Sequence, residues 1–216
     1  MIVRPENPPP YDYAPPPPPP RRPLVKRSEW GINLHLEGVS MGGGYEHNAG
    51  MGGLGGGLRF KPNPYFGLET DLDFVGGHGY QGDQRHEEAL SFNALMFLNP
   101  RSKAQVYLLG GFGWGWANSQ PDPSTDPTAS YNNNYTYFGA QAGIGLELRL
   151  TRVLAFNADF RGIIRTCTNC ASTNGGNGVN GSPVASNGPE FTNPTTGQQT
   201  NTSGGALFTG GMTLYF

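Results

Sequence analysis

Charged residues recur at a spacing of two along this chain: Glu69, Asp71 and Asp73, then Glu147 and Arg149, then Asp159 and Arg161, with Glu37 and Arg59 in similar surroundings. Residues two apart face the same side of an extended strand. Acids and arginines gathered on one side suit two kinds of chemistry. They can line a gated, ion-conducting lumen, or they can neutralise one another as a static ion-pair plug, because buried charge has to be paired. The six acids and three arginines of this set would make a conducting interior slightly cation-preferring.

The two cysteines, Cys167 and Cys170, form "CTNC". Such a pair serves as a redox motif, half a zinc site or a local disulfide. The redox motif needs its first cysteine at a helix N-terminus, and the surrounding Thr, Asn, Ser and Gly offer no helix. Zinc needs four ligands, and no histidine lies nearby in sequence. A loop disulfide or two free thiols is expected, with no metal centre and no cofactor. The glycine-rich "GLGGGL" at 53–58 lacks the following helix that phosphate binding requires, so close packing or bending is its reading.

Strands must position these charges, because every segment from Trp30 onward alternates with period two. Trp30, Ile32, Leu34 and Leu36 oppose Asn33, His35 and Glu37, and Leu54, Leu58 and Phe60 oppose Arg59. Phe66, Leu68, Leu72 and Phe74 oppose the three acids of 69–73. Leu90, Phe92 and Met96 oppose Ser91 and Asn93, although Leu95 and Phe97 break the polar side. The pattern continues through "QVYLLGGFGWGW", "FGAQAGIGLELRL" and "LAFNADFRGII", and ends in "TGGMTLYF". In all eight segments the apolar register carries no charge. Short turns are expected at 61–64, 99–102 and 151–152, and longer polar loops after the odd-numbered strands, the last over roughly 166–204.

This alternation fits a barrel with its greasy register outward. An eight-stranded interior is only wide enough for side chains to fill, so it cannot hold Trp30, Trp114, Trp116 and the rest of the apolar set. Ten residues tilted near 45° cover about 23 Å, the height of the apolar band of an outer-membrane barrel. No stretch approaches the roughly 18 apolar residues of a transmembrane helix, in keeping with a mean hydropathy of −0.46. A formal net charge of −2 and a pI near 6.1 argue against a nucleic-acid partner.

Residues 1–28 are a proline-rich arm, read as disordered and extended: a solvated linker or a semi-rigid spacer touching cell wall. "MIVRPENPPPYDY" shows no signal peptide, so an exported chain is expected to be in mature or truncated form, or to carry a miscalled start.

Over residues 29–216 the chain resembles the small eight-stranded outer-membrane β-barrels of the OmpA-like, OmpX-like and opacity type. The resemblance rests on the eight alternating segments, the loop rhythm and the terminal "FTGGMTLYF". It implies an all-β, antiparallel up-and-down transmembrane barrel behind a disordered proline-rich arm, with both termini periplasmic. It also implies that Phe208, Met212, Leu214 and Phe216 are read by the barrel assembly machinery, and that the partners are outer-membrane lipid and lipopolysaccharide around a monomer. Some such barrels modify lipid A through an outward His-x-Ser. None of His35, His47, His78 and His86 is followed by Ser at the second position, and His86 with Glu87, Glu88 and Ser91 reads as a polar loop. A structural or surface-adhesion role is therefore expected, ahead of a narrow cation-leaning pore or a lipid A enzyme.

Overall fold

Each strand leaves open rows of backbone N–H and C=O groups, and in this computed structural model the rows are closed into a ring. The structure describes residues 28–42, 49–79, 83–124, 132–170, 191–192 and 199–216. Eight long strands follow in order: β1 (Glu29–Gly42), β2 (Ala49–Asn63), β3 (Phe66–His78), β4 (Gln84–Phe97), β5 (Ala104–Gln120), β6 (Asn133–Arg149), β7 (Leu154–Cys167) and β8 (Thr202–Tyr215). Each pairs antiparallel with its neighbours in sequence, and β8 returns to β1. Closure runs from Gly31 opposite Tyr215 to Gly42 opposite Gly204. Its last rung is made by Phe216, whose N–H donates to the Trp30 carbonyl at 2.9 Å while Trp30 N–H donates back at 3.3 Å.

Short polar side chains tie the turns at one end of the barrel. Asn63 Oδ1 accepts from the N–H groups of Tyr65 and Phe66 at 2.9 and 3.1 Å. Asn99 Oδ1 accepts from Val106 N–H at 2.6 Å, and Thr151 Oγ1 from Leu154 N–H at 2.9 Å. Such side chains imitate a backbone turn and stop the strand.

At the opposite end the strands run further than the alternation alone suggests. The links after β1 and β3 shorten to 43–48 and 79–83, and only 121–132 and 168–201 are long. Lys61, expected in a turn, lies inside β2, whose pairing with β3 shifts register between Phe60 and Asn63. The His86, Glu87 and Glu88 cluster, expected in a loop, is part of β4. A two-residue ladder, Phe191–Thr192 with Gln199–Thr200, precedes β8. The proline-rich arm, apart from Ser28, and most of the 166–204 loop lie outside the described residues.

The two registers separate cleanly. Trp30, Leu34, Leu36, Leu54, Phe112, Trp114, Trp116, Phe160 and Phe208 are exposed on the outer wall, Leu36 at 70%. Stacked aromatics thicken that wall: Trp30 on Phe60 at 4.5 Å between ring centres, and Trp114 on Phe138 at 5.2 Å. A water-facing surface with this many bare leucines and phenylalanines would aggregate. Facing lipid, it needs no cover.

The interior is not wholly polar. Leu95 and Phe97, which break the polar register of β4, pack inside against Tyr107 and Leu109. Met41, Ala49, Met51 and Val75 form a second apolar cluster toward the loop end.

Replacing Leu36 by arginine, on the outer wall at the middle of β1, is expected to lower the unfolding free energy by about 2–4 kcal/mol. Denaturant titration in lipid vesicles measures it, and a variant as stable as the parent would show that this face meets water.

Candidate functional site

Inward side chains from all eight strands meet in a chain of charged and aromatic groups along the barrel axis. At the turn end Glu147, from β6, is the hub. It accepts from Arg59 Nη1 at 2.7 Å, from Arg149 Nε at 2.7 Å and from the Tyr215 hydroxyl at 2.6 Å, with Lys61 Nζ at 3.8 Å. Arg59 Nε also pairs with Glu69 across the β2–β3 ladder. Arg149 reaches Glu29 at 2.9 Å and lies 3.8 Å above the Tyr215 ring, and Lys61 Nζ lies 3.5 Å above the Phe97 ring. Arg59 and Glu147 are completely buried.

In the middle, Arg161 Nε donates to Asp159 Oδ1 at 2.7 Å, and the other two guanidinium nitrogens face Asp71 and Glu69 at 3.7 Å. The Tyr107 hydroxyl donates to Asp159 at 3.0 Å, and Asn93 donates to Asp71 at 3.2 Å. Tyr107 can lie across the lumen because residue 145 is glycine: a Cβ there would stand 2.2 Å from its ring. Large groups fill an eight-stranded interior only where the facing position is this small.

Toward the loop end Arg165 pairs with Glu87, and Arg85 lies 3.4 Å from the same carboxylate and donates to the Tyr137 hydroxyl at 2.7 Å. The Arg165 guanidinium stacks 4.1 Å over the Tyr137 ring. Ala117, Tyr137 and Cys167 close this end with a small apolar cluster. Cys167 and Cys170 are joined in a disulfide that ties off the end of β7, with their Cα atoms 5.6 Å apart.

The nine charges expected inward (Glu37, Arg59, Glu69, Asp71, Asp73, Glu147, Arg149, Asp159 and Arg161) all face the lumen, Arg149 half-buried and the rest buried. They do not form one group: Glu37 and Asp73 sit with His35, away from the arginines' strongest pairs. Lys61, Arg85, Glu87 and Arg165 are also buried inside, and the sequence reading leaves them out. Continuing period two finds three of them, since Arg165 follows Arg161 by four and Arg85 and Glu87 precede Ser91 in the same register. Asp83 is buried as well, so the added groups are three cations and two acids, and the acid excess on which a cation-leaning lumen was argued narrows without disappearing. Phe208, Met212, Leu214 and Phe216 are all exposed on the outer wall, Phe216 at 77%. His86 points outward and Ser91 inward, so the strand's own parity keeps that pair apart.

Residues 25–185 match the family model described as the outer membrane protein beta-barrel domain. The chain belongs to this family. It is a bacterial outer-membrane β-barrel. The crystal structure of Neisserial surface protein A (NspA) aligns over 87% of this chain and 97% of its own, with 9% identity and a TM-score of 0.56. That of Ail, the attachment invasion locus protein of Yersinia pestis, aligns over 88% and 99%, with 11% identity and a TM-score of 0.53. At such identities the family's shared property is the fold. No curated protein sequence matches the chain significantly.

Removing one partner of a buried pair strands the other charge, which costs about 3–5 kcal/mol. Glu147→Gln is expected to lose that much in denaturant titrations of the refolded barrel. Glu29→Gln, at the part-exposed edge of the same network, is expected to lose less than about 1 kcal/mol. Equal losses would show that Glu147 is not the hub.

Proposed function

We propose that the chain is a structural, surface-interacting protein of the outer membrane, with a closed lumen and its working surface in the loops. The observation carrying this reading is the filled interior: buried Arg59, Glu147, Tyr107, Arg161 and Tyr137 succeed one another from the turn end to the loop end, nearly all with partners inside the barrel. Ion pairs this well satisfied hold strands together and leave no water-filled path for ions. The 121–132 and 168–201 links emerge at one end, and in membrane barrels the longer loops are the extracellular ones. On that orientation the turn end, the proline-rich arm of residues 1–28 and Phe216 face the periplasm, where the arm can reach the cell wall. The likeness to NspA and to Ail, one named a surface protein and the other an attachment and invasion protein, favours a surface role over catalysis. So does the outward/inward split of His86 and Ser91.

Purified protein in planar bilayers is expected to give no conductance steps above background. Bacteria displaying the chain are expected to be retained on a serum-protein-coated surface, and to lose retention when residues 171–190 are deleted without loss of folded barrel. Equal retention of the two would remove the surface reading. Lipid A from expressing cells is expected to keep its acyl count by mass spectrometry.

Phe216 combines a closing backbone rung with a bare lipid-facing ring. As a signal for the barrel assembly machinery, the alternate series Phe208, Met212, Leu214 and Phe216 depends on that last residue. Deleting Phe216 is expected to lower the yield of heat-modifiable barrel in the outer membrane far more than deleting one residue between 171 and 190. Similar yields refute the signal.

A further inference from the structure

One part of the lumen is built differently from the ion-pair chain. His35 on β1, Gly55 on β2 and Asp73 on β3 occupy a single rung across three strands. The outer two side chains lean toward each other over the glycine, bringing His35 Nε2 to 2.9 Å from Asp73 Oδ1. A Cβ on residue 55 would stand 2.2 Å from that oxygen and 2.4 Å from that nitrogen. The approach exists because residue 55 has no side chain.

Glu37 follows His35 on the same face of β1. One ligand atom each from His35, Glu37 and Asp73 lie within 4.8 Å of one another. The three residues are 5%, 8% and 6% exposed. Even so, Glu37 Oε1 and His35 Nδ1 have no hydrogen-bond partner. Among the described residues no lysine or arginine lies within ion-pair distance of Glu37 or Asp73: Arg161 is committed to Asp159, Asp71 and Glu69, and Arg165 to Glu87. Two carboxylates are thus buried side by side with only an imidazole between them, where buried charge requires compensation. A cavity of about 90 Å³ opens beside them, lined among others by Glu37, Asp73, Glu87, Ser91 and Gln141. It has room for several waters, since one needs only about 10–15 Å³ of such space.

We propose that His35, Glu37 and Asp73 bind a divalent transition-metal ion, clamping β1 to β3 across Gly55. The donor set selects the class of ion. Calcium and magnesium take oxygen ligands, whereas an imidazole nitrogen with carboxylates suits zinc, cobalt or iron. Bonds of roughly 2.0–2.2 Å at tetrahedral angles hold ligand atoms about 3.3–3.6 Å apart. His35 and Asp73 already stand near that separation, and Glu37, with one oxygen unengaged, closes by side-chain rotation. Water from the adjoining cavity completes the shell. The ion supplies the positive charge that the arginines, held by other acids, do not.

The test uses the full chain refolded in detergent, stripped with chelator and titrated with Co²⁺, followed by its visible absorption, and with Zn²⁺ by calorimetry. One equivalent is expected to bind, with nitrogen and oxygen ligands in the cobalt spectrum. His35→Ala and Gly55→Ala are each expected to weaken binding at least roughly tenfold, as loss of a ligand or of its positioning does. The new Cβ in Gly55→Ala meets only the tips of two side chains, so that barrel keeps its heat-modifiable migration even if His35→Ala does not fold. Absence of saturable binding by the parent chain overturns the proposal. So does binding that survives both substitutions, which would assign the metal to His47, His78 or His86. Neither result touches the surface role proposed above.

Discussion

Everything in this molecule depends on the closure of β8 onto β1. Inside a bilayer no water satisfies an open backbone edge, so a sheet that crosses it must have no edge. The rung between Trp30 and Phe216 begins that closure, and the ladder continues unbroken to Gly42 opposite Gly204. Once the ring is shut, parity does the rest. Every even position of β1 from Trp30 to Leu36 meets lipid, and every odd one from Asn33 to Glu37 meets the lumen. A slip of one residue would put Glu37 in hydrocarbon and Leu36 in the lumen, so register and charge placement are one constraint.

Eight strands leave a lumen too narrow for water to screen charge, so the interior must neutralise itself. It does so by giving each arginine more than one acceptor. Arg59 spans Glu69 and Glu147, and Arg161 spans Asp159, Asp71 and Glu69. The guanidinium fork makes this possible, because its donors lie in one plane and point in several directions. Tyr107, Tyr137 and Tyr215 extend the network with hydroxyls that reach across the barrel, while their rings occupy the space between charged layers. Pairing is thus spread over strands far apart in sequence, and Arg59 and Lys61 both link β2 to Glu147 of β6.

Strand number, the direction each register faces and the inward position of the nine charges follow from alternation, which is local. What alternation cannot give is who meets whom. Arg59 and Glu147 are 88 positions apart, and their contact depends on barrel size and stagger, which no single segment encodes. Turn chemistry also misleads. "KPNP" marks a turn at 61–64, yet Lys61 still belongs to β2, because Asn63 alone ties the reversal with Tyr65 and Phe66. "GDQRHEE" has the composition of a loop, and β4 nevertheless starts within it at Gln84, since Arg85 and Glu87 find Tyr137 and Arg165 inside. Polar residues signal exposure in a soluble protein. In a barrel with a polar interior they are equally the signature of burial, so composition stops marking strand ends.

The same inversion explains the glycines. A helix or a soluble sheet loses packing and backbone order at each one, but a narrow lumen needs them wherever a long side chain must lie down. Tyr107 rests over Gly145, and His35 meets Asp73 over Gly55. The two arrangements differ in what they complete. Tyr107 reaches Asp159, itself held by Arg161, so its glycine finishes a neutral network. His35 and Asp73 meet beside Glu37, with no arginine in ion-pair distance among the described residues, so their glycine opens a place where Glu37 Oε1 is left without a hydrogen-bond partner. A wall that is paired and greasy at most points therefore holds, among the described residues, a place where two carboxylates share only an imidazole. That imbalance, rather than the abundance of acids, distinguishes a site from the surrounding plug.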